Sequence, residues 1–487
     1  MSRSALTSLF IATAILFVAI GVVLAAPTSG YGRNVLASAL LVFALAVSSW
    51  QLVHGAIAPR PAAASLVVHL FFVFFLIVPA LFQLATNTWP QDMSVYSEET
   101  AAKAAALVLL FVVCFVLGGM VGPKNLNRAI GTVRACERRR RGRIVIAFVL
   151  FAIAVGVAAI TLFGLDTLMA NRTAVTDHMR EEETLATSGL FLDFPRAITF
   201  CAVLAVLYLF GRRAGRHGAG RQTLTILLAL AILPLFFVVN YPLAQARFWL
   251  LGMAIALALL FVDLRRVRNR LLLIAGIGGG AYTLFPLIRT LTTTETIGPQ
   301  MRVMTAREAL FTGNFDAFEM LMNIVIVAER LGHTFGHQLL SALLFFVPRS
   351  MWQGKAHPTG YYTAEHLGHY FTNLSAPIMG ELYLDFSYLG VIVGGVAIGF
   401  LYRKADTLYA AALAFGGISL HRIQVALLCG FTIILFRGAL LAVIALIATS
   451  FTAIAVLIAG PRVGRFVGAK DGAPLRHQKV PSAGRRQ

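Results

Sequence analysis

The 487-residue chain has little charge: Asp, Glu, Lys and Arg together make up 13% of it. An ordinary soluble domain carries about 25%. A soluble fold of this length needs more charge to coat its surface, so composition excludes soluble enzymes and disordered chains. Cysteine is scarce as well. Of Cys114, Cys136, Cys201 and Cys429, three fall in apolar runs and Cys136 in a basic loop, which excludes a disulfide scaffold and implies no pairing. Acids are the rarer sign, 21 against 41 Lys and Arg, for a net charge of +20. No P-loop, no Rossmann glycine pattern and no H-E-x-x-H pair occurs, so nothing signals a nucleotide, a metal or another cofactor.

What is abundant is apolar sequence, 58% of the chain. It falls into long runs, and the expected fold is an all-α polytopic membrane protein of about twelve transmembrane helices. The runs lie near 6–26, 35–57, 64–86, 103–122, 144–165, 189–210, 223–240, 248–263, 271–288, 384–402, 423–436 and 439–459. The first exceeds a secretory h-region of about 7–15 residues and reads as an uncleaved helix. With the N-terminus in the cytoplasm, the inner segments hold 28 of the 41 Lys and Arg but only Glu137, Asp263, Asp406 and Asp471 among the acids. The positive-inside rule then expects both termini to be cytoplasmic. Arg138-Arg139-Arg140-Arg141 reads as a topology anchor beside anionic lipid rather than a nucleic-acid site.

The domain plan follows. Residues 1–288 carry spans one to nine, 289–383 form one long outer loop, 384–460 carry spans ten to twelve, and 461–487 form a basic cytoplasmic tail expected to be disordered. The long loop is patterned. Leu310, Phe311, Phe315, Phe318, Leu321, Met322, Ile324 and Val325 recur at helical spacing within Glu308–Glu329, which predicts an amphipathic helix on the membrane or the bundle. Leu339–Val347 is apolar but too short to span, and reads as re-entrant or interfacial up to Pro348. Loops of this kind carry function.

Three arginines stand at the outer edge, where the positive-inside rule disfavours them: Arg247 opening the eighth helix, Arg289 ending the ninth, and Arg437 between the last two. A guanidinium fork there suits a phosphate. The alternatives are snorkelling anchors or ion pairs with Asp193, Glu381 or Asp385. Asp193 and Arg196, three apart, read as a self-paired couple. The densest polar stretch runs from Pro348 to Tyr370. Arg349 and Lys355 are candidates to hold phosphate. Trp352, Tyr361, Tyr362 and Tyr370 are candidates to stack on sugars or to form an interfacial belt. His357, Glu365, His366 and His369 are candidates for acid–base work, whereas His333 and His337 read as loop structure. Glu381 and Asp385 lie i, i+4 at the outer end of the tenth helix, as a base and its orienter or as partners of arginines. Gly394, Gly395 and Gly399 form a small-residue stripe for close helix packing.

Within Phe346–Gly399 one pattern stands out: Val347-Pro348-Arg349 with Trp352 and Lys355, Gly360, Ser375-Ala376-Pro377, Gly380-Glu381-Leu382-Tyr383, Phe386 and Leu389-Gly390. With Ala246-Arg247 entering a helix and Phe436-Arg437-Gly438 near the end, it resembles the bacterial O-antigen polymerase family, the Wzy-type oligosaccharide repeat-unit polymerases. Asp385-Phe386-Ser387 stands where that pattern has Asn-Phe-Gly, and Ala246-Arg247-Phe248 where it has Ser-Arg-Gly. The resemblance implies a metal-independent membrane glycosyltransferase of C-type fold in the bacterial inner membrane. Its partners would be undecaprenyl-diphosphate-linked oligosaccharide, the lipid bilayer and a chain-length regulator. Arg247, Arg289, Arg349, Lys355 and Arg437 would bind diphosphate or glycan, and His366, His369 or Glu381 would do the proton chemistry. An O-antigen ligase using lipid A–core as acceptor is the nearest alternative. A polysaccharide transporter or flippase is the other, although transporters place charges at the midplane.

Overall fold

The computed structural model describes residues 34–91, 96–138, 142–170, 188–211, 219–293, 305–369, 371–372 and 374–460, and among them there is no strand. The expected first span 6–26, Arg139 to Arg141, Tyr370 and the tail 461–487 lie outside the described residues. The chain runs through α1 (Val35–Ile57), α2 (Ala63–Thr86), α3 (Glu98–Val121), α4 (Leu126–Arg138), α5 (Gly142–Phe163) and the short α6 (Leu165–Met169). It continues through α7 (Ser188–Gly211), α8 (Ala219–Val239), α9 (Arg247–Phe261) and α10 (Val267–Thr293). Between the bundle helices lie α11 (Ala306–Ala309), α12 (Ala317–Leu331), α13 (His337–Leu343) and α14 (Thr359–Leu367). The chain then returns through α15 (Ile378–Phe415), α16 (Leu420–Arg437) and α17 (Leu440–Ala459).

Nine of these helices, among the described residues, are long and apolar enough to cross a membrane: α1, α2, α3, α5, α7, α8, α15, α16 and α17. The chain is an all-α polytopic membrane protein. The apolar α9 has 15 residues, about 22 Å at 1.5 Å per residue, short of a hydrocarbon core of about 30 Å. It nevertheless sits inside the bundle, against α16.

Small residues set the closest approaches. The α3–α15 pair is the most extensive in the molecule. A Cβ at Gly399 would lie 2.0 Å from Phe115 O, and one at Gly118 would lie 2.1 Å from Val396 O. The glycine stripe of α15 is therefore where two backbones meet, the packing that small residues permit without a solvent-driven force. A second crossing of this kind fixes α9 on α16. A Cβ at Gly430 would lie 2.3 Å from Gly252 O, and the rings of Trp249 and Phe431 stack beside it at 5.5 Å. The start of α9 and the end of α16 therefore stand side by side. Phe436, buried among Phe71, Phe72, Phe111 and Phe115, anchors that end.

Two helices are interrupted. Within α2 the turn Phe72–Ile77 is a π-helix, and the Tyr282 hydroxyl donates to Phe74 O at 2.7 Å. The expected tenth span 384–402 is the middle of the 38-residue α15, which is broken at Phe386 (φ −135°) and Ser387 (φ +56°, ψ −154°). A serine in that region is strained, because its Cβ crowds the backbone where glycine has none. The predicted amphipathic helix over Glu308–Glu329 needs correction. It is divided into α11 and α12 at Gly313-Asn314, and α12 is buried on nearly every side, Glu319 and Asn323 included. Its polar residues have partners within the protein, so burial costs little: Tyr96 donates to Asn323 Oδ1 at 2.8 Å and the Gln91 amide to Glu319 Oε2 at 2.9 Å. Burial and the Glu319 carboxylate push the Tyr96 phenol up.

Candidate functional site

Arg247 and Arg437 meet at one end of the bundle on a single segment, Thr312-Gly313-Asn314-Phe315-Asp316. Arg437 Nη2 donates to Asp316 Oδ1 at 2.8 Å and to Gly313 O, and Nε donates to Asn314 O at 3.2 Å. Its guanidinium lies over the Phe248 ring, 4.4 Å from the centroid. Arg247 Nη1 donates to Asn314 Oδ1 at 3.2 Å. The segment is held from below, where Gln83 Nε2 donates to Leu310 O at 2.8 Å and to Phe315 O at 2.9 Å. Phe315 itself stacks on Phe75 and Tyr282.

Asp316 is 2% exposed. Its Oδ1 also accepts from Ser375 Oγ at 2.8 Å, and the Ala376 amide donates to Arg437 O at 3.1 Å. Ser375-Ala376-Pro377 thus lies directly on Arg437. The carboxylate beside Arg437 is Asp316, not Glu381, Asp385 or Asp193. The Asp193–Arg196 couple pairs with itself at 3.5 Å.

Glu381 and Asp385 cap helices. Both Glu381 oxygens accept from the Leu440 amide, at 3.0 and 3.2 Å, closing the N-terminus of α17 just past Arg437-Gly438. Asp385 accepts from the amides of Gln338 (3.1 Å) and Leu339 (2.8 Å) and from the Thr334 hydroxyl. Backbone amides at helix starts otherwise lack partners, so both carboxylates hold neighbouring elements in register. Between them lies a narrow cleft with room for about one water-sized group, lined by Gln338, Leu339, Ile378, Glu381, Leu382, Asp385 and Leu440.

The remaining candidates lie elsewhere. Arg349 donates to Lys355 O (2.7 Å) and Ala356 O (2.8 Å). Lys355 Nζ donates to Phe345 O (2.7 Å) and Val347 O (2.8 Å). Both cations brace the turn after α13, and burial, then Arg349, lowers the Lys355 ammonium below its ordinary range. His366 Nδ1 contacts Tyr362 O at 2.8 Å on an exposed face. His369 has a buried Nε2 without a partner among the described residues, and burial lowers its pKa. Neither histidine shares a hydrogen bond with Glu381 or Arg437. His357 stacks on Tyr361 at 4.6 Å and is lowered by burial and Arg349. Arg289 belongs to α10, and its side chain lies outside the described residues. No group of three or more His, Cys, Asp or Glu among the described residues is arranged to hold a metal.

Sequence reasoning passed over Asn314, Asp316 and Gln338. The signal for Asp316 was available: Gly313-Asn314 is turn chemistry inside an apparently continuous helical period, and an acid follows it. At the other end of the bundle the buried charges serve the fold. Arg270 donates to Gly55 O and Ala58 O, Arg422 to Leu259 O and Gly417 O, and Asp406 accepts from the Ala64 amide.

Comparison with family models, with curated proteins and with solved structures finds no match.

Proposed function

We propose that this chain is a metal-independent membrane glycosyltransferase that polymerises undecaprenyl-diphosphate-linked oligosaccharide repeat units at the outer face of the bacterial inner membrane. The observation that carries the reading is the convergence of Arg247 and Arg437 on one segment at one end of the bundle, beside a cleft bearing Glu381. Arg437 already binds a carboxylate, so this end of the molecule is built to hold an anion. The sequence resemblance supplies the substrate class. The reading takes twelve spans with both termini in the cytoplasm, an arrangement in which the segment between α10 and α15 lies outside.

In the reaction, the oxygen of an acceptor sugar hydroxyl attacks the anomeric carbon of the donor glycan. The bond from that carbon to the lipid diphosphate breaks, and its electron pair leaves on the diphosphate. Arg247 and Arg437 meet that charge with forked donors, a stabilisation that grows as the bond breaks. The hydroxyl proton passes to Glu381, which keeps lone pairs beyond those taken by Leu440 N.

The test is glycan profiling of a strain lacking the gene, beside the same strain carrying wild-type or Arg437→Ala protein. Core bearing a single repeat unit in the deletion and in the variant is the expected result. Lipid-linked polymer that never reaches the core means a ligase. Repeat units trapped in the cytoplasm mean a flippase and end the enzyme reading.

A further inference from the structure

Gln338, on the wall of the cleft between Glu381 and Asp385, carries a polar atom that no other described residue uses. Gln338 is 4% exposed, its backbone amide is spent on Asp385, and its side-chain Oε1 is buried without a hydrogen-bond partner among the described residues while its residue lines the cleft. A buried acceptor left unpaired costs about 1–3 kcal/mol, so native structures rarely keep one without a role for it. The free space is sufficient for a single water-sized group and insufficient for a sugar ring. Gln338 Oε1 and the Glu381 carboxylate, on residues that line the cleft, are acceptors, so the group complementary to them is a donor. Lys or Arg from a partner is a poor fit, since the walls are otherwise Leu339, Ile378, Leu382 and Leu440.

We propose that Gln338 and Glu381 together receive the hydroxyl of the acceptor sugar, with Gln338 Oε1 orienting the O–H while Glu381 takes its proton. The inference rests on the glycosyl-transfer reading and adds the acceptor subsite to it. Gln338 is placed for this by Asp385. The Asp385 carboxylate holds the amides of Gln338 and Leu339, so the first turn of α13 is fixed against α15. Asp385 acts only through Gln338. The consequence is a split between substrates: the arginines meet the donor's diphosphate, and Gln338 meets the acceptor alone.

The informative substitution is Gln338→Met, which keeps the length of the side chain and removes the acceptor. The full chain is purified in lipid nanodiscs. Lipid-linked oligosaccharide extracted from a strain lacking this gene serves as donor. The water-soluble oligosaccharide freed from it by mild acid serves as acceptor. The expected result is a KM for the soluble acceptor raised at least tenfold, a donor KM within twofold of wild type, and a melting temperature equal to wild type or higher, because an unpaired buried atom is gone. An unchanged acceptor KM overturns the proposal. A lowered melting temperature with both KM values raised makes Gln338 a structural brace and overturns it too. If the wild-type protein transfers nothing, the polymerase reading fails by itself. Equilibrium binding of the radiolabelled soluble oligosaccharide then decides the subsite: tenfold weaker binding to Gln338→Met upholds it, and equal binding ends it.

Discussion

Arg437 shows how one side chain joins distant parts of the chain. Its guanidinium serves Gly313 O, Asn314 O and Asp316 at once, which a lysine, with one compact charge, does not reproduce. Arg437→Lys should therefore reduce polymer formation at least 100-fold while the protein remains in the membrane fraction. Wild-type polymer length on a gel would reduce Arg437 to an anchor. Breaking the buried pair from the acid side leaves the guanidinium uncompensated, so Asp316→Ala should cost about 3 kcal/mol. The double variant with Arg437→Ala should lose less than the two single losses added, as read by thermal unfolding. Glu381→Gln keeps an acceptor for the Leu440 amide but takes no proton. Its expected signature is a kcat at least 100-fold lower with unchanged melting temperature, and retained kcat would remove Glu381 from the chemistry. At this scale the sequence was half legible. Arginines expected at the outer face stand out because the positive-inside rule makes them exceptional. Asp316 and Gln338 do not stand out: a lone acid or amide in a loop has no periodic signature, and the meaning of each comes from partners far away in the chain.

The elements were legible where composition decides them and illegible where contacts do. Val35–Ile57 coincides with the apolar run 35–57, and Leu440–Ala459 falls one residue from 439–459. The interruptions escaped, because each arises from a neighbour. The π-turn of α2 packs against Tyr282, the α11–α12 division follows the arginine contacts on residues 313–316, and the break in α15 accommodates Phe386 against Gly336. The break carries a prediction. Ser387→Gly relieves a serine at φ +56°, ψ −154° and should raise stability by about 1 kcal/mol; a lower melting temperature would show that the serine side chain holds the break. The turn and helix from Pro348 to His369 carry another. His357 and His369 both lie below the ordinary histidine pKa of 6.5 because burial favours their neutral forms. The unfolded segment binds protons near pH 6.5 while the folded one resists them. Stability is thus fully present above pH 6.5 and is lost as pH falls below it. Hydrogen exchange over α14 should quicken between pH 7 and pH 5.5, after correction for intrinsic rates. Unchanged protection would mean that both rings find solvent without unfolding.

For the molecule as a whole, the polytopic all-helical class was legible from charge and hydropathy alone. The orientation is open to direct measurement. All four native cysteines are buried, so a membrane-impermeant maleimide reports on introduced thiols. Gly354→Cys, on an exposed turn, should be labelled in intact spheroplasts. Gly131→Cys, on the exposed face of α4 with open space around its Cβ, should require lysis. The opposite pattern would invert the molecule and with it the outer-face reading.

The embrace of Arg437 by Asp316 sets a threshold for any anion that approaches. A tethered carboxylate faces its partner at the effective concentration of an intramolecular group, millimolar or above. A dilute monovalent anion, competing one for one, is outnumbered by a rival that never diffuses away. A ligand carrying two adjacent charges can engage Arg247 and Arg437 together and so evict the resident. Under the proposed function, the arginine pair is thereby filtered against the acetate, chloride and bicarbonate of its surroundings, without a wall or a gate, by the presence of its own aspartate.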